Sequence, residues 1–217
     1  MQYRLIIFDL DGTLVDTIED LGNAVNAALE QRGLPLHTIP EYRPMVGHGI
    51  RNLVRNALPA ALKNDEAFVD GCLASFREYY SSHIDVCSKP YEGIPEMLRS
   101  LAASGVKLAV ATNKFQAGAE KLLAKVFPDI SFSVISGDRP GMPLKPDPAV
   151  VLNILEQLGV QAAGTLYVGD SHTDIMTARN AGVTSAGVSW GFRPKADLMD
   201  ADHVLDDVAS LSALCHS

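Results

Sequence analysis

Residues 4–13 read RLIIFDLDGT, and this stretch decides the fold. Four apolar residues, Leu5 to Phe8, follow one another without a polar interruption, which is typical of a strand buried on both faces of a parallel sheet. Two carboxylates come next, Asp9 and Asp11. Residues two apart on an extended chain point to the same side, so both are expected to face the space beyond the strand's carboxyl end. Open α/β sheets bind their ligands there.

Further apolar runs repeat this pattern and alternate with helical stretches. They predict strands at residues 4–8, 107–112, 132–136, 165–169, 185–189 and 203–205. Glycine adopts the left-handed conformation that ends many helices, and four glycines stand where helical stretches stop: Gly33, Gly105, Gly159 and Gly182. The alternation predicts an α/β fold with a doubly wound, mainly parallel, Rossmann-like core sheet.

Residues 16–84, here called the helical insert, contain no convincing strand. Periodicity predicts helices near residues 18–32, 49–58 and 65–82. We therefore predict a small α-helical cap domain over residues 16–84 and a catalytic core over residues 1–15 and 85–217. The two linkers between them, around Asp16 and at residues 88–90, are expected to form a hinge that opens and closes a site.

The composition of the chain excludes several classes of protein. Apolar residues make up 47% of 217, enough for a real core, and a formal charge of −8 argues against nucleic acid and anionic membranes as partners. Apolar runs are too short to span a bilayer, and no signal peptide is expected. Three cysteines without a CxxC spacing argue against disulfides and zinc. We expect a cytoplasmic monomer or homodimer that acts on a small metabolite.

A second acidic motif repeats the logic of the first. Residues 166–174 read LYVGDSHTD, so Asp170 follows a strand and Asp174 lies one helical turn further on. If this strand lies beside the first, several carboxylates converge, and oxygen ligands of that density suit Mg²⁺: Asp9, Asp11, Asp170 and Asp174. Two alternatives stay open, namely a simple Asp-Gly turn after the first strand and a capping box formed by Ser171 with Asp174. Asp16 with Glu19 resembles a second capping box.

Two further motifs carry groups that can bind a phosphate. Thr112 and Asn113 end another strand and can donate hydrogen bonds to an anion, although both residue types also serve as helix N-caps. Lys145 precedes Pro146, which disfavours helical geometry and holds the lysine extended. A solvated loop lysine is the alternative. Together with Mg²⁺, these groups would compensate the charge of the carboxylates and of a phosphate monoester.

The helical insert contributes a candidate substrate-binding segment. Gly47, His48 and Arg51 belong to a stretch with two glycines at the start of a predicted helix, which can present N–H groups and a cation to an anion. A flexible turn with solvated side chains is the alternative. Residues 190–193, which read WGFR, follow another strand and are expected near the mouth of the site.

The four motifs resemble, in order, those of the haloacid dehalogenase-like hydrolase superfamily, and the resemblance covers essentially the whole chain. They are residues 9–13, Thr112-Asn113, Lys145-Pro146, and Gly169-Asp170 with Asp174. The helical insert resembles the small α-helical cap of that superfamily. Residues 91–93, the loop 137–145, residues 47–49 and residues 190–192 are similar to its phosphoglycolate phosphatases.

The resemblance implies a Mg²⁺-dependent phosphatase and a role for each motif residue. Asp9 would be the nucleophile that forms an aspartyl-phosphate, and Asp11 the general acid and then the general base. Mg²⁺ would be held by the Asp9 side chain, the Asp11 backbone carbonyl and Asp170, with support from Asp174. The phosphoryl oxygens would be held by Thr112 and Lys145, and Lys145 would also orient Asp9.

The same motifs leave other activities open. A pyrophosphatase, another sugar-phosphate phosphatase or a phosphomutase would share them all. A dehalogenase lacks the acid/base carboxylate that Asp11 supplies, and a phosphonate hydrolase needs a cap lysine, for which the helical insert offers only Lys63. Two alternatives from a different class, a phospho-acceptor receiver domain and a non-catalytic regulator, would keep the fold without turnover. Mg²⁺-dependent hydrolysis of a phosphate ester would distinguish an enzyme from these signalling or regulatory proteins.

Overall fold

A six-stranded parallel sheet runs through the structure, a computed structural model that describes residues 3–216. The strands of this sheet, numbered in chain order with the two short strands described below, are β1 (Leu5–Phe8), β4 (Lys107–Phe115), β5 (Val134–Asp138), β6 (Thr165–Gly169), β7 (Thr184–Val188) and β8 (His203–Leu205). Their spatial order is β5-β4-β1-β6-β7-β8, and every neighbouring pair is parallel.

Helices cover both faces of this sheet. The helices of the described residues are α1 (Ile18–Glu30), α2 (Ile39–Tyr42), α3 (Ile50–Ala57), α4 (Glu66–His83), α5 (Ile94–Ala103), α6 (Gln116–Val126), α7 (Ala149–Leu158), α8 (His172–Ala181) and α9 (Val208–His216). Helices α5 to α9 pack against the strands of the sheet. Alternate residues of β1 enter opposite apolar clusters, Ile6 and Phe8 on one face and Leu5 and Ile7 on the other. The unbroken apolar run of β1 therefore reflects burial on both faces. The predicted α/β, doubly wound fold is confirmed.

All six predicted core strands are present, with their ends moved by at most three residues. β4 extends beyond the predicted Thr112 to Phe115, and β5 begins and ends two residues later than predicted. The four predicted helix ends Gly33, Gly105, Gly159 and Gly182 all have positive φ. Two-residue strands at both linkers were not predicted: β2 (Val15–Asp16) pairs antiparallel with β3 (Lys89–Pro90). Strands this short carry no periodicity that a sequence could reveal.

The strand order brings the sequence motifs together. β1 lies between β4 and β6, so the residues that follow these three strands meet at one edge of the sheet. Asp9, Thr112 and Asp170 therefore come from neighbouring strands although they are far apart in sequence. A parallel sheet places all carboxyl ends on the same side, which makes that edge the ligand-binding side.

The helical insert contains α1 to α4, and its three longer helices lie within two residues of their predicted bounds. α2 was not predicted; it is one turn long and begins at a capping box formed by Thr38 and Glu41. α1 packs against α4, and α4 against α3. The division into a cap and a core stays a prediction, and residues 1, 2 and 217 of the predicted core lie outside the described residues. Within residues 3–216, no helix combines the length and the apolar character needed to cross a membrane.

The two predicted capping boxes have different outcomes. Ser171 and Asp174 form one at the start of α8, as predicted. The box predicted for Asp16 and Glu19 is wrong, because α1 begins after Thr17 and no side chain caps it. The hydroxyl of Thr17 instead donates a hydrogen bond to Asp11 (2.7 Å), so a group that commonly caps a helix is used at the ligand-binding edge of the sheet.

Asp20 ties the second linker to α1. Its buried carboxylate accepts hydrogen bonds from the backbone N–H of Cys87 (3.0 Å), the N–H of Ser88 (2.8 Å) and the Ser88 hydroxyl (2.6 Å). Hydrogen bonds to a charged acceptor are stronger than neutral ones, and donors left buried without a partner carry the full cost of desolvation. Asp20 therefore fixes the chain just before β3.

We expect Asp20→Ala to lower the free energy of unfolding by about 2–3 kcal/mol, because three donors lose one charged acceptor. Urea denaturation followed by circular dichroism measures this difference. Asp197→Ala is the matched control, since Asp197 is exposed and its replacement should change stability by no more than about 0.5 kcal/mol. Equal stability of the two variants would contradict a structural role for Asp20.

Candidate active site

The centre of the site is a buried lysine shared by two carboxylates. Lys145 Nζ lies 2.9 Å from Asp9 Oδ1 and 2.7 Å from Asp174 Oδ1, and all three side chains are almost completely enclosed. The hydroxyl of Tyr167 and the backbone carbonyl of Ala111 complete the surroundings of this ammonium, each at 3.1 Å. Burial works against the charge of Lys145, but Asp174 and Asp9 outweigh it and raise its pKa well above the ordinary value. The solvated-loop alternative for Lys145 is therefore wrong.

Asp174 forms the capping box considered for it and also pairs with Lys145, a contact that the sequence did not predict. Its Oδ2 accepts hydrogen bonds from the N–H (3.1 Å) and hydroxyl of Ser171, which forms the capping box of α8. Its Oδ1 pairs with Lys145 and also accepts a hydrogen bond from the hydroxyl of Tyr167 (3.2 Å). The helix cap thus fixes the carboxylate that positions the lysine.

Asp170 lies in a pocket that only glycines can form. A Cβ atom at Gly12 or Gly191 would collide with the Asp170 side chain, and Gly12 also has φ +87°, which other residues rarely adopt. The N–H of Phe192 donates a hydrogen bond to Asp170 Oδ2 (2.6 Å). The loops after β1 and β7 therefore close around this carboxylate.

The charges of this centre are not balanced by the described side chains. One carboxylate oxygen from each of Asp9, Asp170 and Asp174 lies within 4.8 Å of the other two, whereas Lys145 is the ammonium that pairs with two of them. Burial raises the pKa of Asp9 to about 7 although Lys145 opposes the shift. Burial, and then Asp174 and Asp9, raise the pKa of Asp170 well above its usual range. Two negative charges in excess fit a divalent cation with oxygen ligands.

Asp9 also keeps an oxygen without a hydrogen-bond donor. Its Oδ1 is buried and close to Lys145 Nζ, but no donor among residues 3–216 is in hydrogen-bond geometry with it. The ion pair with Lys145 is therefore the described contact of this oxygen, and the Asp9 residue lines the cavity beside it.

Thr112 and Asn113 are both buried at the edge of the cavity. The Asn113 amide is already committed: it donates to the carbonyls of Gly47 (2.9 Å) and Lys145 (3.2 Å) and accepts from the N–H of Lys145 (2.9 Å). Asn113 therefore connects the loop that carries Lys145 to Gly47 of the helical insert. Thr112 also lines the cavity, and its hydroxyl accepts a hydrogen bond from the N–H of Lys114 (3.2 Å) rather than contacting the insert.

Asp11 is held by two donors that the sequence analysis did not place at the site. Its Oδ1 accepts hydrogen bonds from Thr17 Oγ1 (2.7 Å) and from Lys114 Nζ (3.0 Å). Lys114 also donates to the hydroxyl of Tyr80 on α4 (2.6 Å). Lys114 immediately follows Thr112-Asn113, and this adjacency to a candidate motif was the one signal in the sequence that pointed to it.

A cavity opens beside these polar groups. Its polar lining includes Asp9, Asp11, Thr112, Lys145 and Asp170, and its apolar lining comes from Leu21, Val46, Ile50 and Leu53 of the helical insert and from Phe192. Gly47 lines this cavity as predicted. His48 is exposed and does not line it. Arg51 is also absent from the lining, because its guanidinium pairs with Glu66 and Asp70 of α4, each at 2.5 Å. We therefore reassign Arg51 to the surface of the helical insert.

Residues 190–193 connect the sheet to the helical insert. Phe192 and Arg193 line the cavity. The guanidinium of Arg193 donates to the carbonyls of Pro44 (2.9 Å) and Val46 (2.6 Å). Trp190 donates its Nε1–H to the carbonyl of Thr13 (3.1 Å) and has a structural role.

The raised pKa of Asp9 leads to a prediction about stability in chelator. The ordinary pKa of an aspartate is 3.8, and that of Asp9 in the fold is about 7, so stability present at low pH is lost as the pH rises towards 7. Asp9→Asn removes this charge. We expect the stability of the variant relative to the wild type to grow by about 2 kcal/mol between pH 5 and pH 8, as measured by urea unfolding. Asp197→Asn is the control. A constant difference between wild type and Asp9→Asn would contradict a charged, buried Asp9.

Comparison with known proteins identifies the family of this chain. The model of the haloacid dehalogenase-like hydrolase family matches residues 6–188. The chain is 38% identical over 213 residues to a phosphoglycolate phosphatase of Agrobacterium fabrum, covering 96% of this chain and 90% of the relative. It is 37% identical to phosphoglycolate phosphatase 1 of Pseudomonas aeruginosa, covering 89% and 73%.

Solved structures show the same relationship. A crystal structure from Lactobacillus delbrueckii subsp. bulgaricus, provisionally described as a phosphoglycolate phosphatase, superposes with a TM-score of 0.92 at 32% identity, covering 99% of both chains. The chain therefore belongs to the haloacid dehalogenase-like hydrolase family, and it groups there with the phosphoglycolate phosphatases.

Proposed function

We propose that this protein is a Mg²⁺-dependent phosphatase that hydrolyses 2-phosphoglycolate through an aspartyl-phosphate on Asp9. The observation that carries the proposal is the enclosed ammonium of Lys145, which is shared by Asp9 and Asp174 at the ligand-binding edge of the sheet. A carboxylate fixed in this way can attack a phosphorus atom repeatedly from one direction. The names of the relatives support the choice of substrate.

Asp9 acts as the nucleophile. A carboxylate needs no base to activate it, and the ion pair with Lys145 favours its ionised form against the effect of burial. Lys145 also aims the carboxylate and places a positive charge beside the phosphoryl oxygens. The Thr112 hydroxyl offers these oxygens a neutral donor. These groups would stabilise the charge that spreads over the phosphoryl group during transfer.

Mg²⁺ fits the excess of negative charge described above. The side chains of Asp9 and Asp170 would hold it together with the backbone carbonyl of Asp11, and Asp174 would support it from behind. When bound, Mg²⁺ neutralises charge on the phosphoryl oxygens and makes phosphorus more electrophilic. Because buried carboxylates are involved, binding would also relieve their mutual repulsion.

Asp11 moves the protons of the reaction. It donates a proton to the leaving oxygen in the first step and accepts one from the attacking water in the second. Its Oδ1 is held by Thr17 and Lys114. This fixes the carboxyl group at the cavity and leaves Oδ2 for the proton transfer.

The helical insert acts as a cap over this chemistry. Its apolar residues line the cavity together with the carboxylates, and excluding bulk water there strengthens every electrostatic interaction in the site. An apolar wall close to the phosphoryl site suits a short substrate. The three cysteines are free thiols, in keeping with the proposed cytoplasmic location.

The first experiment measures phosphate release from 2-phosphoglycolate, pyrophosphate, β-glucose 1-phosphate and nucleotides, with Mg²⁺ and with chelator. We expect Mg²⁺-dependent release with a preference for 2-phosphoglycolate, and no release by Asp9→Asn, because the amide cannot act as the nucleophile. Mg²⁺ should also raise the melting temperature of the wild type, which is a readout independent of turnover. Preference for another monoester would correct the substrate alone, whereas absence of release from every compound would favour a phosphomutase or a non-catalytic protein.

Lys145→Met tests the shared ammonium. We expect kcat/KM to fall by a factor of about 100 or more for every substrate, because a preorganised charge at the phosphoryl group is lost. Lys125→Met is the matched control, since Lys125 is 62% exposed and its nearest acid, Asp85, is 3.7 Å away. A loss of less than threefold for Lys145→Met would remove this lysine from the proposed mechanism.

A further inference from the structure

Lys114 is a second buried cation at the cavity, and in the proposed phosphoryl transfer its part is to hold Asp11. Its side chain is 1% exposed, and it lines the cavity beside Asp11. Burial works against its charge, but Asp11 and Tyr80 outweigh this effect and raise its pKa above the ordinary value. A lysine kept charged inside a protein needs a reason, because an apolar side chain of similar size is usually at least as stabilising.

Two hydrogen-bond partners fix the position of Lys114 and leave part of its hydrogen-bonding capacity unused. Nζ donates to Asp11 Oδ1 and to the Tyr80 hydroxyl, and the ring of Tyr80 stacks on Phe76 at 5.1 Å. An ammonium has three N–H donors. Among residues 3–216, the hydrogen bonds of Nζ account for two of them. The remaining donor has no described partner, and Lys114 lines the cavity.

The geometry of the reaction places the substrate's substituent near this ammonium. The leaving oxygen must lie within hydrogen-bond reach of Asp11, which protonates it. Lys114 Nζ is 3.0 Å from Asp11 Oδ1. Groups attached to the carbon that bears the leaving oxygen therefore lie close to Lys114. In 2-phosphoglycolate that group is a carboxylate.

Other cations are less suited to this carboxylate. Lys145 is shared by Asp9 and Asp174, and the guanidinium of Arg193 joins two carbonyls of the helical insert. The side chains of Leu21, Ile50 and Leu53 that line the cavity are apolar and cannot pair with a carboxylate. An anionic group entering such a cavity without a partner would meet a large desolvation cost.

We propose that Lys114 binds the substrate's carboxylate and that Tyr80 of the helical insert positions Lys114 for this contact. The inference rests on the proposed function and adds a specificity residue to it. The pair selects phosphate esters that carry an anionic group on the carbon next to the leaving oxygen. Because Asp11 also has Thr17 as a donor, Lys114 can turn towards a substrate without leaving Asp11 unpaired.

The test compares kcat/KM for 2-phosphoglycolate and for ethyl phosphate, which lacks the carboxylate. We expect Lys114→Met to lower the value about 100-fold for 2-phosphoglycolate and about tenfold or less for ethyl phosphate, so the preference falls at least tenfold. The loss of kcat/KM that both substrates share measures the effect of the substitution on Asp11. The ratio of the two kcat/KM values measures the contribution of the substrate's carboxylate. Lys125→Met should change neither value, because Lys125 lies on the surface.

Tyr80→Phe gives an independent answer if Lys114→Met does not fold. The ring and its stacking remain, and removal of the hydroxyl should lower the preference about threefold to tenfold. If the wild type prefers 2-phosphoglycolate and both variants keep that preference within twofold, the role of Lys114 is overturned and the proposed function stands. A fall in preference with Arg193→Met but not with Lys114→Met would also overturn it. A wild type that turns over both esters equally would overturn the proposed substrate together with the carboxylate site.

Discussion

The ammonium of Lys145 is the interaction on which the rest of the site depends. Asp9 and Asp174 would repel each other strongly at this depth, and the shared lysine allows both to remain buried. Its position is fixed from several sides: Asn113 bonds to its backbone N–H and C=O, Tyr167 to its side chain, and Ser171 to its partner Asp174. A nucleophile aimed by a rigid ion pair needs little reorganisation before it reacts.

The fold brings together side chains that are far apart in the sequence. β1 at the centre of the sheet has β4 and β6 as neighbours, so carboxylates, a hydroxyl and a lysine from distant parts of the chain meet at one edge. Burial, and then the repulsion from neighbouring carboxylates, raises the pKa values of Asp9 and Asp170, so their charged forms are disfavoured at that edge. Natural proteins tolerate such conflicts mainly at functional sites, where a ligand relieves them.

Sequence reasoning succeeded where a pattern and a general rule act together. The apolar run before Asp9 predicts a buried strand, and the rule for open α/β sheets then places its carboxylates at the ligand site. It failed where tertiary contacts decide. Lys114 becomes notable only because Tyr80, 34 residues away, covers it. Arg51 follows promising glycines, yet its side chain turns to acids on the neighbouring helix α4. Neither the contact between Lys114 and Tyr80 nor the direction of the Arg51 side chain can be predicted from the residues next to it in the sequence.

The contacts between the helical insert and the sheet are themselves parts of the site. Asn113 reaches Gly47, Arg193 reaches Val46, and Lys114 reaches Tyr80, all by polar groups that line the cavity or border it. Apolar packing alone would tolerate small displacements of the insert, because it has no preferred direction. Hydrogen bonds to particular atoms do not tolerate such displacements, because they need short distances and favourable angles. A movement of the insert would therefore alter the contacts of the loop that carries Lys145 and those of Asp11 at the same time. The geometry of proton transfer thus depends on the position of the insert residues that line the cavity.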